Sequence, residues 1–146
     1  MKVSKDFEFD MAHRLPNHVG LCRNLHGHRY KVRLTFLGED QMDEKTGCAD
    51  EGMVVDFSEI KEVAETLIDG CLDHSCMLST KYDVDIIQFL KAKGFRVCEV
   101  DFVPTAENMA AWIYSELKEL YADRGINLIT VRVWETPTSF ADYKKV

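Results

Sequence analysis

His13, Cys22, His26 and His28 fall close together near the start of the chain, around the run Cys22-Arg23-Asn24-Leu25-His26-Gly27-His28. Imidazole and thiolate are favoured ligands of transition metals, zinc above all. Three imidazoles would hold a tetrahedral ion with one position open, the pattern of catalytic rather than closed structural sites. A thiolate at Cys22 would be stabilised beside such an ion and beside arginines, and could then act as a base near neutral pH. Two rival arrangements use the same residues: His18, Cys22 and His26 as the ligands, or Cys22 as a fourth ligand closing the site. Farther on, Asp73-His74 joins a carboxylate to an imidazole, a pairing able to relay protons. Cys71, His74 and Cys76 would be an alternative second metal set. Glu135, at a strand end before Thr136-Pro137-Thr138, could pair bidentately with the N–C–N edge of a heterocycle. Glu107 sits in the first turn of a helix, where an acid is favourable whatever its function.

These residues need elements to position them. Val3, Phe7, Phe9 and Met11 alternate with Ser4, Asp6, Glu8 and Asp10, the pattern of a half-buried strand, and His13 shares the apolar parity. After a polar loop with Pro16, Asn17 and Gly20, Tyr30, Val32, Leu34 and Phe36 form the apolar face of a second strand. His26 and His28 lie on that same parity, so they point together. If the strands pair as an antiparallel hairpin, the end of the first lies beside the start of the second. The three histidines then share one rim of the core, Gly27 allows close approach between them, and the loop carries Cys22 over the rim.

The remainder reads as follows. An acidic loop spans 39–52, and Met53-Val54-Val55 is extended. Asp56 with Glu59 caps a helix whose stripe is Ile60, Val63, Ala64, Leu67 and Ile68, stopped at Gly70. Residues 84–93 form a short helix ending at Gly94, and Phe95 to Val103 is a short strand or connector. Thr105 caps a second long helix with a stripe of Met109, Trp112, Ile113, Leu117, Leu120 and Tyr121, ended by Gly125. Leu128 to Trp134 and Ser139 to Lys144 are the last strands. The expected class is α+β: a four-stranded antiparallel sheet with two long helices on one face, in the order ββααββ. Its free edges favour edge-to-edge assembly.

At 146 residues and 46% hydrophobic, the chain suits one domain, 1–146, with a sizeable core. It has no apolar run of about 18 residues, so no membrane span is expected. The N-terminus lacks a signal-peptide core, so a cytoplasmic location is expected. The five cysteines are odd in number and scattered, and are expected to be reduced. A net charge of −7 argues against general nucleic-acid binding. Yet residues 11–38 carry Arg14, Arg23, Arg29, Lys31 and Arg33 and no acid, which suggests a small anionic ligand. For Lys31 and Arg33 a solvated strand face is an equal reading.

Ala12-His13-Arg14-Leu15, Cys22-x-x-x-His26-Gly27-His28, Val55-Asp56-Phe57, Leu72-Asp73-His74, Pro104-Thr105-x-Glu107-Asn108 and Glu135-Thr136-Pro137-Thr138-Ser139 occur in that order. Together they resemble the 6-pyruvoyl-tetrahydropterin synthase / 6-carboxy-tetrahydropterin synthase family across nearly the whole chain. The resemblance implies the tunnelling fold, hexameric assembly and active sites between subunits. It implies zinc on His13, His26 and His28, Cys22 as catalytic base, and Asp73 and His74 as the second proton-transfer pair. Glu135 would anchor the pterin ring, with Thr105 and Glu107 helping from a neighbouring subunit. The substrate would be 7,8-dihydroneopterin triphosphate. The three-residue gap between Cys22 and His26 resembles the 6-carboxy enzymes of the queuosine and deazapurine route, lyases that release acetaldehyde and triphosphate. The alternatives are the 6-pyruvoyl reaction on the same substrate and a zinc- or pterin-binding module without catalysis. The 39–52 loop and residues 80–103 depart from a compact member of the family.

Overall fold

The computed structural model describes residues 1–38 and 46–144. Glu39, Asp40, Asp43 and Glu44 of the acidic loop lie outside the described residues. Two long strands, β1 (Lys2–His13) and β2 (His26–Leu37), form the predicted antiparallel hairpin. Phe9, Met11, Tyr30, Val32, Leu34 and Phe36 are all buried, as the alternation requires. Helix α1 (Phe57–Leu67) starts at Asp56, whose carboxylate accepts the Ser58 N–H at 2.7 Å. It does not stop at Gly70 but widens into a π-helical turn, Ile68–Leu72.

The chain then forms β3 (Ser75–Ser79), α2 (Val84–Ala92), β4 (Val97–Val100), α3 (Ala106–Ala122), β5 (Asn127–Thr136) and β6 (Ser139–Tyr143). The sheet has six strands in the order β4-β3-β1-β2-β5-β6. This corrects the expected four-stranded antiparallel sheet. Strand β3 runs parallel to β1, and β4 parallel to β3, each reached by a helical crossover. Every residue of β3 is buried, so it shows no alternation to betray it. Residues 80–103, read as an insertion, are mostly the α2 crossover and the β4 edge. Their anchor, β3, lies along Met11, Ala12 and His13, the end of β1 that carries His13.

One face of the sheet is apolar. Helix α3 covers β5 and β6, and α1 packs beside it. Ile60, Val63, Ala64, Met109, Ile113, Leu117 and Tyr121 are buried as expected, whereas Leu120 is exposed and Ala110 and Tyr114 take its place. The Tyr121 hydroxyl donates to the Ile60 carbonyl at 2.7 Å and ties the two helices together. The opposite face is a ladder of cross-strand ion pairs: Arg29 on Asp10, Arg33 on Asp6, Arg132 on Asp142. Among the described residues, no helix is long and apolar enough to cross a membrane.

The Tyr121 contact yields a stability test. Tyr121→Phe leaves a buried carbonyl without its donor and should lower the unfolding free energy by about 1–2 kcal/mol. A urea melt should show an earlier midpoint with an unchanged slope.

Candidate active site at the hairpin rim

Register does the first part of the work. His13 stands directly opposite His26, and Met11 opposite His28. The three ring centroids lie 4.6, 5.0 and 5.2 Å apart, and one ligating atom from each ring falls within 4.8 Å of the others. Among the described residues this is the only such cluster of His, Cys, Asp or Glu. Gly27, between the two ligands of β2, has its Cα so close to β1 that an added Cβ would meet the Met11 carbonyl oxygen at 3.1 Å.

Backbone carbonyls fix the rings. His13 Nδ1 lies 2.8 Å from the Pro104 carbonyl oxygen, and His26 Nδ1 lies 2.7 Å from that of Asn24. A carbonyl only accepts, so each Nδ1 carries the hydrogen and each Nε2 keeps a free lone pair. His13 is 1% exposed, and its Nε2 and that of His28 are buried without a hydrogen-bond partner. Buried polar atoms are rarely left that way, and bare imidazole nitrogens facing one another are what a cation requires. Burial holds the His13 imidazole below its ordinary pKa, against the opposing pull of the Pro104 carbonyl and Glu135. The donor set therefore fits a divalent transition metal such as zinc.

The rival sets are not assembled. His18 Nδ1 accepts the Gly20 N–H at 2.9 Å within its own loop. Cys71 is disulfide-bonded to Cys98, contrary to the expectation of reduced thiols. Cys76 is buried, and burial, with the charge of Asp83, pushes its thiol up to about 11. Cys22, by contrast, is a free, half-buried thiol on a 3-10 turn, Leu21–Arg23. The turn is tied down by the Leu15 N–H donating to the Cys22 carbonyl at 2.9 Å.

Asp73 and His74 do touch, with Asp73 Oδ1 2.9 Å from His74 Nδ1. The same oxygen accepts the Asp10 N–H at 3.0 Å, and the His74 N–H donates to the Asp10 carbonyl at 2.7 Å. His74 is the only described non-glycine residue with positive φ, at 56°. That conformation is costly for a histidine and is held here by both bonds to Asp10. Burial tends to raise the Asp73 carboxyl, but the Asp10 N–H and His74 outweigh it and hold it below the ordinary range.

Glu135 reaches the rim through a β-bulge. Trp134 pairs with Phe140 and Thr136 with Ser139, which leaves Glu135 as the extra residue. Bulges of this kind re-aim side chains beside active sites. Its Oε1 stands 3.7 Å from His28 Nε2. Glu135, Trp134, Thr136, Pro137 and His28 line a cleft of about 540 Å³. A second cleft of about 400 Å³ is lined by His74, Asp10 and Ser75, and shares Gly27, His28 and Arg29 with the first. Thr105 caps α3 by accepting the Asn108 N–H at 3.3 Å, and Glu107 is exposed in its first turn. Neither lines these clefts, although the adjacent Pro104 carbonyl holds His13.

Four contributors escaped the sequence reading. Tyr30 counted only as an apolar strand residue, yet its ring packs edge-on against His13 and His28 at 5.8 and 5.6 Å. Burial first, then Glu135 and Cys22, push its hydroxyl well above the ordinary phenol range, so it stays protonated. Its shared parity with His26 and His28 was the available signal. The carbonyls of Asn24 and Pro104 and the backbone of Asp10 left no signal, because any residue type supplies them.

A profile of the family described as 6-pyruvoyl tetrahydropterin synthase matches residues 2–146. The chain is 37% identical over 146 residues to the 6-carboxy-5,6,7,8-tetrahydropterin synthase of Haemophilus influenzae, covering 99% of each. It is 36% identical over 141 residues to that of a Synechocystis species, covering 97% of this chain and 91% of the relative. Caenorhabditis elegans 6-pyruvoyl tetrahydropterin synthase superposes with a TM-score of 0.70 at 26% identity, covering 100% of this chain and 96% of that one. An uncharacterized protein from Wolinella succinogenes superposes with a TM-score of 0.80 at 21% identity, covering 100% of this chain and 98% of that one.

The Asp73 geometry predicts a pH dependence. A carboxyl with a lowered folded-state pKa contributes stability above its unfolded pKa and loses it as pH falls through the folded one. Asp73→Asn should therefore destabilise the protein at neutral pH, by on the order of 0.5 kcal/mol because the group is partly solvated. The gap between variant and wild-type urea midpoints should close as pH falls below about 4, the ordinary carboxylate range.

Proposed function

The chain belongs to the 6-pyruvoyl tetrahydropterin synthase family, and from that premise we propose that it is a 6-carboxy-5,6,7,8-tetrahydropterin synthase. It would convert 7,8-dihydroneopterin triphosphate to 6-carboxytetrahydropterin, with release of acetaldehyde and triphosphate. The observation that carries the reading is the histidine rim, with two bare buried Nε2 atoms and with Glu135 and the Asp73-bound His74 lining adjoining clefts. The whole-length match to curated 6-carboxy relatives favours this product over the 6-pyruvoyl one. The likeness to the nematode enzyme keeps the 6-pyruvoyl reaction as the second reading. The reading treats residues 1–146 as one pterin-synthase unit serving queuosine or deazapurine synthesis.

His13, His26 and His28 would hold zinc. Bound there, zinc would supply Lewis acidity toward oxygens of the substrate side chain. Glu135 would pair with the N–C–N edge of the pterin in the larger cleft and fix the ring, its bulge aiming the carboxylate there. The Cys22 thiolate would take a proton from the side chain. His74, oriented by Asp73, would exchange the second proton from the smaller cleft. His28 lines both clefts, so one substrate spanning them would meet the base pair and the ring anchor together.

The homohexamer, assembled edge to edge, is part of the same reading. Glu107 is exposed, and neither it nor Thr105 lines these clefts. That placement suits residues reaching a neighbour's site.

Product identification tests the reading. Incubation with dihydroneopterin triphosphate and zinc should release acetaldehyde. A retained three-carbon side chain would establish the 6-pyruvoyl reaction instead, and absence of turnover would leave a binding module. Metal analysis separates the roles: His26→Ala should lose zinc, whereas Cys22→Ala should keep it and lower kcat by about 10²–10⁴-fold.

A further inference from the structure

The cations of residues 11–38 looked alike in the sequence, but the structure sorts them. Arg29 forks onto Asp10 at 3.0 and 3.1 Å and reaches Glu8 at 3.3 Å. Arg33 forks onto Asp6 at 2.6 and 2.8 Å. Lys31 lies 4.0 Å from Asp6, with its ammonium 3.9 Å from the Trp134 ring centroid. Arg14 pairs with the buried Asp83 at 3.2 Å. Elsewhere Arg124 holds Glu62, Arg132 holds Asp142, and Arg96 donates to the Asp69 carbonyl. Most of the basic patch is therefore already neutralised by carboxylates brought in from other segments.

Arg23 is the exception. Among the described residues it is the only arginine with neither a carboxylate nor a carbonyl partner for its side chain, and it is exposed. Its backbone is braced. The Arg23 N–H donates to the Gly20 carbonyl at 3.3 Å, and both the N–H and the side-chain amide of Asn24 donate to the Leu21 carbonyl at 3.0 Å. On one side is Cys22; on the other is Asn24, whose carbonyl orients His26. An unpaired guanidinium thus stands on a fixed turn at the rim of the metal site.

We propose that Arg23 is the anchor for the polyphosphate tail of the substrate. The proposal rests on the reading above that the substrate carries a triphosphate. A planar guanidinium matches phosphate oxygens bidentately, and one with no internal partner need not break an ion pair to do so. On a chain of net charge −7, a cation without an internal partner is a local point of attraction for a polyanion approaching the rim. An exposed anchor also lets the triphosphate depart once it is cleaved from the pterin.

The test is titration of the zinc-loaded protein with inorganic tripolyphosphate by calorimetry, with zinc content measured before and after. Arg23→Gln should weaken binding about 10-fold, and Arg23→Lys should recover part of the loss. Arg124→Gln removes the same charge from the Glu62 pair and should stay within about twofold, since a single remote surface charge is screened. In turnover of dihydroneopterin triphosphate, Arg23→Gln should raise KM by about the same factor, with a much smaller fall in kcat. Wild-type protein that does not bind tripolyphosphate, binding unchanged in Arg23→Gln, or an equal loss in Arg124→Gln would each overturn the proposal. Arg23-dependent binding without turnover would support the anion subsite and reject the catalytic reading. Normal turnover with Arg23→Gln indistinguishable in both assays would do the reverse.

Discussion

The antiparallel register between β1 and β2, with His13 opposite His26 and Met11 opposite His28, is the constraint on which the site depends. Strand side chains alternate between faces, so a slip of one residue would turn a whole apolar set outward. The register that buries Phe9, Met11, Tyr30, Val32, Leu34 and Phe36 is therefore the register that gathers the three imidazoles. No separate device is needed to bring the three histidines together. Hydrophobic burial along the hairpin holds the geometry, and the histidines occupy its last positions.

The histidine cluster and the Asp73–His74 pair hang from the same strand. Asp10 donates its N–H to Asp73, accepts the His74 N–H on its carbonyl, and receives Arg29 on its carboxylate. His13, three residues on, belongs to the metal rim. The distance between the Asp73–His74 pair and the histidines is thus set within one β-strand. Parallel strand β3 reinforces this span by pairing with Met11, Ala12 and His13 and delivering Ser75 directly after His74. The left-handed backbone at His74 is the local cost of making that junction.

The hairpin, the long helices and the histidine cluster were legible because each has a period or a spacing. Alternation places His13, His26 and His28 on one parity, and antiparallel pairing does the rest. Of the sheet's two extra strands, the first was not legible, and the second was read only as a short strand or connector within 95–103. Ser75–Ser79 is buried on both faces and only five residues long, so it offers no alternation, and Val97–Val100 is shorter still, too short to show that it joins the same sheet. The Asp73–His74 contact and the bulge that frees Glu135 depend on backbone geometry that residue types do not encode. The charge reading was half right. Acid-free sequence from Met11 to Gly38 is real, but Asp6, Asp10 and Asp83 neutralise most of it from outside that window. Local composition cannot see partners that folding brings in.

The hydrogen bond from His13 to the Pro104 carbonyl spans 91 residues, whereas the three histidines come from one hairpin. Pairing within a hairpin closes a short loop and forms early; contacts between distant segments wait for the rest of the chain. During synthesis the imidazoles can therefore meet long before α3 exists to set the tautomer of His13. In the nascent chain His26 already has its carbonyl partner, Asn24, whereas His13 gains its own only when the completed fold brings Pro104 to the hairpin. The orientation of His13 is in this sense a late property of the molecule, conferred by a carbonyl far along the chain.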